Sequence, residues 1–117
     1  MTPAAVWRAQ RAAATYLPES YDADGFIHCT DSIEELIAVG NRYYQADVRP
    51  FVALAIDCDR VVDTIVYEDS NQLFPHIYGA LPLAAVVEVR ALLRDESGRF
   101  VSPGKSLIPT QSGKAPN

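Results

Sequence analysis

The sequence is short of basic residues and has no cluster of them. Ten Lys and Arg stand against fifteen Asp and Glu, the formal net charge is −5 at pH 7, and the first lysine is Lys105. Proteins that bind duplex nucleic acid normally carry a basic stripe. We therefore expect no duplex nucleic-acid partner, although a single small anion needs only one or two arginines or backbone amides.

Long apolar runs are missing as well. No segment approaches the roughly 18 apolar residues of a membrane span, and Met1-Thr2-Pro3 lacks the basic and apolar start of a secretory signal. We expect a cytoplasmic protein with no membrane partner. Cysteine is limited to Cys29 and Cys58, which we expect to be free thiols in a reducing compartment.

Motifs for metals and for common nucleotide folds are absent. The two histidines, His28 and His76, form no His-x-x-x-His pair, and there is no Cys-x-x-Cys. Neighbouring His28 and Cys29 project to opposite faces of a strand, which disfavours a shared metal ion or a Cys–His nucleophile pair. No phosphate-binding glycine motif is found. We expect no metal site.

What is present is enough for one domain. The chain has 117 residues, of which 49% are apolar. We expect a single domain over residues 1–103 and a flexible tail over residues 104–117, where Gly, Ser, Pro and Lys dominate. The elements follow in the order α-β-α-β-β-β-β, which favours an α+β fold over alternating βαβ units.

Local signals set the predicted elements. Thr2 followed by Pro3 is typical of a helix start, so we expect a helix over residues 3–14 that ends before Leu17-Pro18. Ser32 and Glu35 form a capping box for a second helix. The predicted strands cover residues 25–29, 51–56, 64–68 and 86–93, with a hairpin to residues 99–101. Residues 69–73 and the Phe74-Pro75-His76 segment are expected to form a loop.

The first segment with chemical potential is Gly25–Thr30. On a strand, Phe26, His28 and Thr30 share one face, while Ile27 and Cys29 share the other and look like core residues. His28 and Thr30 then lie at a strand end just before a helix N-terminus, where unpaired N–H groups favour an anion. In the alternative, His28 is half-buried and bonded to a backbone group, and Thr30 or Asp31 helps to cap the helix.

The second segment is Phe74–Gly79. Pro75 restricts the backbone, and Gly79 permits a close approach, so His76 and Tyr78 are held in defined positions. In the alternative, this is a proline-stiffened turn whose aromatic rings fill one end of the core. We predict that His28 and His76 lie on the same side of the sheet and reach one pocket.

An acidic residue closes the third predicted strand. Glu68 follows Tyr67 and shares a face with Val66 and Thr64. A carboxylate in this position acts as a general base or binds a hydroxyl group, or else it is a solvated strand end.

Together these segments resemble a known bacterial family. Trp7, the GFIHCT string at Gly25–Thr30, Tyr67-Glu68 and the FPHIYG string at Phe74–Gly79 are similar to the DUF952 family of unknown function, from about Ala4 to Pro103. The end of the second helix, at residues 41–44, is also similar.

The resemblance implies a fold of the ADP-ribosyltransferase type, a small split mixed or antiparallel sheet with two helices. Relatives on that fold hold NAD in a cleft between half-sheets. Carried over to this chain, the resemblance implies catalytic roles for His28, Glu68 and His76. It implies cofactor-binding roles for Thr30, Tyr67, Phe74, Tyr78 and Gly79.

The chain departs from the family pattern at its start. Family members usually begin with a short strand before the first helix, and this chain begins at the predicted helix cap. We therefore expect that strand to be missing and a sheet edge to be left open. Either the true start lies upstream or part of the site is lost. The first functional hypothesis is an enzyme or former enzyme that binds NAD or a related nucleotide and transfers or removes ADP-ribose. The second is a non-catalytic small-ligand or protein-binding module on the same fold. No oligomeric state is predicted.

Overall fold

Short helices and antiparallel strands make up residues 1–107, the part of the chain that the computed structural model describes. The helices are α1 (Ala4–Gln10), α2 (Tyr21–Asp24) and α3 (Ile33–Tyr43). The strands are β1 (Thr2–Pro3), β2 (Thr15–Tyr16), β3 (Ile27–His28), β4 (Phe51–Ile56), β5 (Thr64–Tyr67), β6 (Pro75–Tyr78), β7 (Leu81–Pro82), β8 (Val86–Arg94) and β9 (Phe100–Ser106). Short 3-10 helices cover Cys58–Arg60 and Leu83–Ala85. The predicted α+β class is confirmed.

The strands form three antiparallel sheets. The large sheet has the order β1-β4-β8-β9, the small sheet has the order β3-β6-β5, and β2 pairs with β7. The continuous apolar run Phe51–Ile56 is a central strand of the large sheet, as its composition predicts. The long β8 lies between β4 and β9.

Two apolar clusters lie on the two faces of β4. The larger cluster joins α1 and the small sheet to the large sheet, and it contains Ala4, Trp7, Tyr16, Ile27, Val52, Ile77, Leu81, Ala85 and Val89. The smaller cluster lies under α3 and contains Phe51, Ala53, Leu92 and Phe100. Because Val52 and Ala53 are neighbours on a strand, they serve different clusters.

Helix α3 is fixed at both ends. The Ser32 Oγ accepts a hydrogen bond of 3.2 Å from the Glu35 N–H, which confirms Ser32 as the cap. Near the other end, the Asn41 side chain bonds twice to the backbone of Phe100. Its Nδ2 donates to the Phe100 carbonyl at 2.9 Å, and its Oδ1 accepts from the Phe100 N–H at 2.7 Å. This amide therefore joins α3 to β9.

The predicted start of the first helix is wrong. Thr2 and Pro3 form β1, in which Thr2 lies opposite Val52 of β4, and the helix begins only at Ala4. It ends at Gln10 rather than near residue 14, because Thr15–Tyr16 pairs with β7. Strand pairing thus overrides the helix propensity of an alanine-rich segment.

The predicted loop at Phe74–His76 is also wrong in part. Residues Pro75–Tyr78 form β6, the central strand of the small sheet. Proline is tolerated as the first residue of this strand, since its carbonyl still accepts a bond from the Cys29 N–H at 3.0 Å.

The boundary expected after residue 103 lies inside a strand. Strand β9 continues through Ser106, so the part of the predicted tail at residues 104–106 belongs to the large sheet. Residues 108–117 of that tail lie outside the described residues. Among residues 1–107, no helix has the length and apolar character to cross a membrane.

Candidate functional site

The strand register brings the two histidines together. His28 of β3 lies directly opposite His76 of β6. The Cys29 N–H donates to the Pro75 carbonyl of β6, and the Asp31 N–H donates to the Leu73 carbonyl, two residues before Pro75. The His28–His76 pair between them is therefore one whose backbones do not bond each other. Side chains approach most closely at such pairs. The two rings are 5.2 Å apart between centroids, which confirms that they share one side of the sheet.

An aromatic ring supports both imidazoles. Phe26, which shares the face of His28, stacks on His76 with a centroid distance of 4.0 Å and an interplanar angle of 15°. The same ring is 4.6 Å from His28 and 5.4 Å from Tyr78. These contacts fix the position of the imidazole pair on the sheet.

A carboxylate lies beside His76. Val66 of β5 is opposite His76, so Glu68, two residues further on, points to the same face. The Tyr78 hydroxyl donates to the Oε2 of Glu68, and this oxygen is 3.5 Å from the Nδ1 of His76. That distance allows an ion pair, but the Nδ1 is buried and has no hydrogen-bond partner within residues 1–107.

His28 has a carboxylate partner of its own. Its Nε2 lies 2.9 Å from the Oδ2 of Asp24, at the end of α2. The imidazole is 57% exposed, so the alternative of a half-buried histidine bonded to a backbone group does not hold. Asp24 is not among the residues predicted for the site, although a carboxylate four residues before His28 across the Gly25 turn is a local signal.

These groups face a space that we call the outer cavity. It has a volume of 920 Å³ and lies between one face of the small sheet and α3. Five of the predicted site residues line it, namely His28, Thr30, Glu68, Phe74 and His76. Helix α3 supplies the opposite wall, including Glu35, Val39 and Arg42 at helical spacing.

Most of the Asp, Glu, Lys and Arg residues that line the outer cavity are acidic. Asp24, Glu35, Glu68 and Asp69 line it, whereas Arg42 is the single Lys or Arg among its lining residues. The backbone N–H groups of Leu73 and Phe74 donate to Asp69, and these bonds lower the pKa of that carboxyl. The Arg42 guanidinium lies over the Tyr43 ring, 5.4 Å from its centroid.

Three predicted residues do not line the outer cavity. Tyr67 points to the opposite face of the small sheet, where its hydroxyl donates to Asp31 at 2.8 Å, and this bond raises the pKa of the phenol. Tyr78 contributes indirectly, through the bond of its hydroxyl to Glu68 and the contact of its ring with Phe26. At Gly79, an added Cβ would overlap the Asp63 side chain, so this glycine serves chain packing.

A second space, the inner slot, lies on the other face of the small sheet. It has a volume of 460 Å³ and is lined by residues of β3, β4 and the inward face of β5 and β6. Cys29 and Cys58, both free thiols, line it as well. Burial raises the pKa of the Cys29 thiol to about 11. Within residues 1–107, no three His, Cys, Asp or Glu side chains are grouped to hold a metal ion.

Comparisons with known proteins agree with this fold. Residues 1–89 match the family model described as "Protein of unknown function (DUF952)". The crystal structure of protein CC0527 from Caulobacter crescentus superposes with a TM-score of 0.72 at 23% identity, covering 86% of this chain and 89% of that one. A double mutant of CC0527 gives a TM-score of 0.71 with the same identity and coverage. No curated protein matches the chain.

Proposed function

The chain belongs to the DUF952 family of proteins of unknown function, and we propose that it binds NAD or a related nucleotide in the outer cavity and transfers or removes ADP-ribose. One observation carries the proposal: His28, His76 and Glu68 converge on a single cavity. Its volume of 920 Å³ is within the range of small-molecule sites. An ADP-ribosyltransferase-like fold and a cytoplasmic location are parts of the same proposal.

The acidic lining suits the charge that this reaction develops. When nicotinamide leaves with the electron pair of the glycosidic bond, positive charge grows on the ribose ring. Carboxylates that are already in place stabilise such a charge without reorganisation. Glu68 lies beside His76, whereas Asp24 is paired with His28, so we assign this role to Glu68.

The nucleophile also needs a proton acceptor. A hydroxyl or water that attacks the anomeric carbon loses its proton as the new bond forms. Glu68 lines the cavity with a partly exposed carboxylate and is placed to accept it, and the buried His76 Nδ1 lies 3.5 Å from that carboxylate. His28, held by Asp24, lies at the same wall and is assigned to a ribose or phosphate oxygen.

The outer cavity offers fewer binding groups for the pyrophosphate of the nucleotide than for its ribose. Arg42 is the only Lys or Arg lining the outer cavity, and its guanidinium makes no hydrogen bond within residues 1–107. It is therefore free to bind one phosphate. Phe74 and Tyr43 line the same cavity and offer rings on which a base can stack.

The shortage of cations favours a second candidate. With four carboxylates and one arginine in its lining, the outer cavity repels a doubly charged pyrophosphate more than it attracts it. In this candidate the chain is a non-catalytic module, and the cavity binds an uncharged or cationic small ligand that carries hydroxyl groups.

Calorimetry with NAD and with ADP-ribose tests the proposal. We expect binding by the wild type, and a loss of affinity on the order of tenfold for His28→Ala and for Glu68→Gln, because each removes one hydrogen bond to a charged or hydroxyl group. Glu34→Gln is the matched control, since Glu34 is exposed and lines neither cavity.

Two outcomes separate the candidates. If the wild type releases nicotinamide from NAD and Glu68→Gln does not, catalysis is supported. If neither nucleotide binds at millimolar concentration, the nucleotide proposal fails and the non-catalytic module is favoured.

A further inference from the structure

The His28 imidazole meets Asp24 through one of its two nitrogens. The Nε2 lies 2.9 Å from the Asp24 Oδ2, whereas the Nδ1 makes no hydrogen bond within residues 1–107. An ionised carboxylate only accepts hydrogen bonds, so the Nε2 carries the proton in this contact. In a neutral imidazole, the Nδ1 then has a free lone pair and can only accept a hydrogen bond. The contact with Asp24 therefore fixes the tautomer of His28.

The local backbone holds Asp24 in place for this contact. Asp24 is the last residue of α2, and Gly25 ends the helix with φ of +77° and an N–H that donates to the Tyr21 carbonyl at 2.7 Å. This left-handed turn leads into β3, so the carboxylate and the imidazole four residues later lie side by side. The Phe26 ring also contacts the imidazole, with a centroid distance of 4.6 Å. The position of the pair thus depends on one short stretch of chain.

His76 differs from His28 in this respect. Its Nδ1 lies 3.5 Å from the Oε2 of Glu68 without forming a hydrogen bond, so no contact within residues 1–107 fixes its tautomer. His28 is also the more open imidazole, with 57% of its side chain exposed against 18% for His76. Of the two imidazoles at this wall of the outer cavity, His28 therefore offers the defined acceptor to a ligand.

The charge of the Asp24–His28 pair distinguishes the two ligand groups that His28 could meet. Asp24 with a neutral His28 carries one negative charge, and this charge repels a phosphate. The phosphates of a dinucleotide have no proton to donate at neutral pH, whereas a ribose hydroxyl has one. Arg42, the only Lys or Arg that lines the outer cavity, belongs to α3, which forms the opposite wall. A hydroxyl therefore suits the His28 wall, and a phosphate suits the α3 wall.

We infer that Asp24 is a positioning residue that holds His28 as the acceptor for a ribose hydroxyl, and that the phosphates of the nucleotide lie across the outer cavity at Arg42. The nucleotide is the ligand of the proposed function, on which this inference rests. The hydroxyl belongs to the ribose that loses nicotinamide, because Glu68, assigned to that ribose, lies at the same wall. A phosphate is thereby excluded as the partner of His28, and the nucleotide has a defined direction between the small sheet and α3.

The first test reads the tautomer of His28 without any ligand. Asp24→Asn keeps the size of the side chain, but an amide can accept from the imidazole or donate to it, so both tautomers become possible. Asp22→Asn is the matched control, because Asp22 is an exposed residue of the same helix that lines neither cavity. Nitrogen-15 NMR of the histidine side chains at about pH 9, where free imidazole is neutral, should show an unprotonated Nδ1 in the wild type and in Asp22→Asn. In Asp24→Asn, the Nδ1 signal should move towards that of a protonated nitrogen.

The second test measures affinity by calorimetry with two ligands. Nicotinamide riboside carries the ribose hydroxyls but no phosphate, and ADP-ribose carries both. His28→Ala should weaken both ligands about tenfold, because it removes a hydrogen bond to a hydroxyl. Asp24→Asn should weaken both about threefold and add nothing in the His28→Ala background, because Asp24 acts through His28. Arg42→Gln should weaken ADP-ribose about tenfold and should not weaken nicotinamide riboside.

Three results would overturn the inference while nucleotide binding stands. The first is a wild-type Nδ1 that carries the proton, or a tautomer that Asp24→Asn leaves unchanged. The second is a loss of affinity on Asp24→Asn that is the same with and without His28. The third is an Arg42→Gln variant that weakens both ligands equally.

Two further outcomes are separate from these. If neither ligand binds the wild type at millimolar concentration, the proposed function fails, and the assignment of the ribose hydroxyl to His28 fails with it. If Asp24→Asn does not fold, as seen by circular dichroism, Asp24→Ala is measured in its place with the same expectations, because alanine also leaves both tautomers possible.

Discussion

The two faces of the small sheet differ in almost every property, although they belong to the same few residues. On β6, Ile77 is 2% exposed and packs in the larger apolar cluster, while its neighbours His76 and Tyr78 point to the opposite face. That face holds the imidazole pair and Glu68. A single strand thus provides both an anchor in the core and a rigid position for polar groups, which is what a precise site requires.

Replacing neighbours on β6 should show this difference most strongly. Ile77→Ala removes a fully buried side chain from a central strand, so we expect a loss of about 2–5 kcal/mol in the free energy of unfolding. His76→Ala should cost less than about 1.5 kcal/mol, because the Nδ1 it removes has no hydrogen-bond partner in the described part of the chain. Urea denaturation measures both.

Equal losses from the two variants would contradict the comparison. So would a stable Ile77→Ala protein, because it would mean that the inward face of β6 is not the anchor.

Gly79→Ala addresses the end of the same strand. Gly79 has φ of +158°, and an added Cβ meets the Asp63 side chain, so we expect a loss of about 1–3 kcal/mol. Gly25→Ala is the comparison, since Gly25 has φ of +77° but open space around its Cβ position, and it should cost about 1 kcal/mol. Thermal unfolding gives both values. If Gly79→Ala is the milder change, Gly79 is not held by packing.

Removing one tyrosine hydroxyl from each face of the small sheet compares the two faces without changing the core. Tyr78→Phe removes the donor to Glu68 on the outer face, and Tyr67→Phe removes the donor to Asp31 on the inner face. Because both residues are exposed, each change should cost only about 0.5 kcal/mol. Tyr78→Phe alone should alter ligand affinity in the outer cavity, as read by calorimetry. An equal effect from Tyr67→Phe would contradict the separation of the faces.

The smallest expected effect on the protein comes from chemical labelling of the two thiols. With a pKa of about 11, only about a thousandth of Cys29 is thiolate at pH 8, and the fraction rises as the pH approaches 11. We expect iodoacetamide to modify exposed Cys58 first and Cys29 far more slowly, as seen by peptide mass spectrometry. Unfolding in urea is the control and should make the two rates similar. Faster labelling of Cys29 would place it outside the inner face.

Features that depend on neighbouring residues were predictable from the sequence. The cap at Ser32 and the strand at Phe51–Ile56 follow from local spacing, and both are confirmed. The shared side of His28 and His76 is confirmed as well, because strand alternation fixes which face each side chain takes once the strands pair.

Features that depend on distant pairing were not predictable. The residues near Pro75 do not indicate that its carbonyl accepts a hydrogen bond from the Cys29 N–H. This bond helps to make the segment a strand instead of a loop. Thr2 likewise looks like a helix cap until Val52 is placed beside it. Asp24 and Arg42 line the outer cavity only because the fold places α2 beside the small sheet and α3 across the cavity from it, and their roles in binding stay predictions.

The Asn41 amide determines which sheet holds one wall of the outer cavity. It joins α3 to β9, so that wall of the cavity is carried by the large sheet, while His28 and His76 are carried by the small one. The outer cavity therefore lies between parts of the two sheets, and its width depends on their relative position. A ligand that touches both walls would link the two sheets, and Asn41→Ala would remove the two hydrogen bonds that attach the α3 wall to β9.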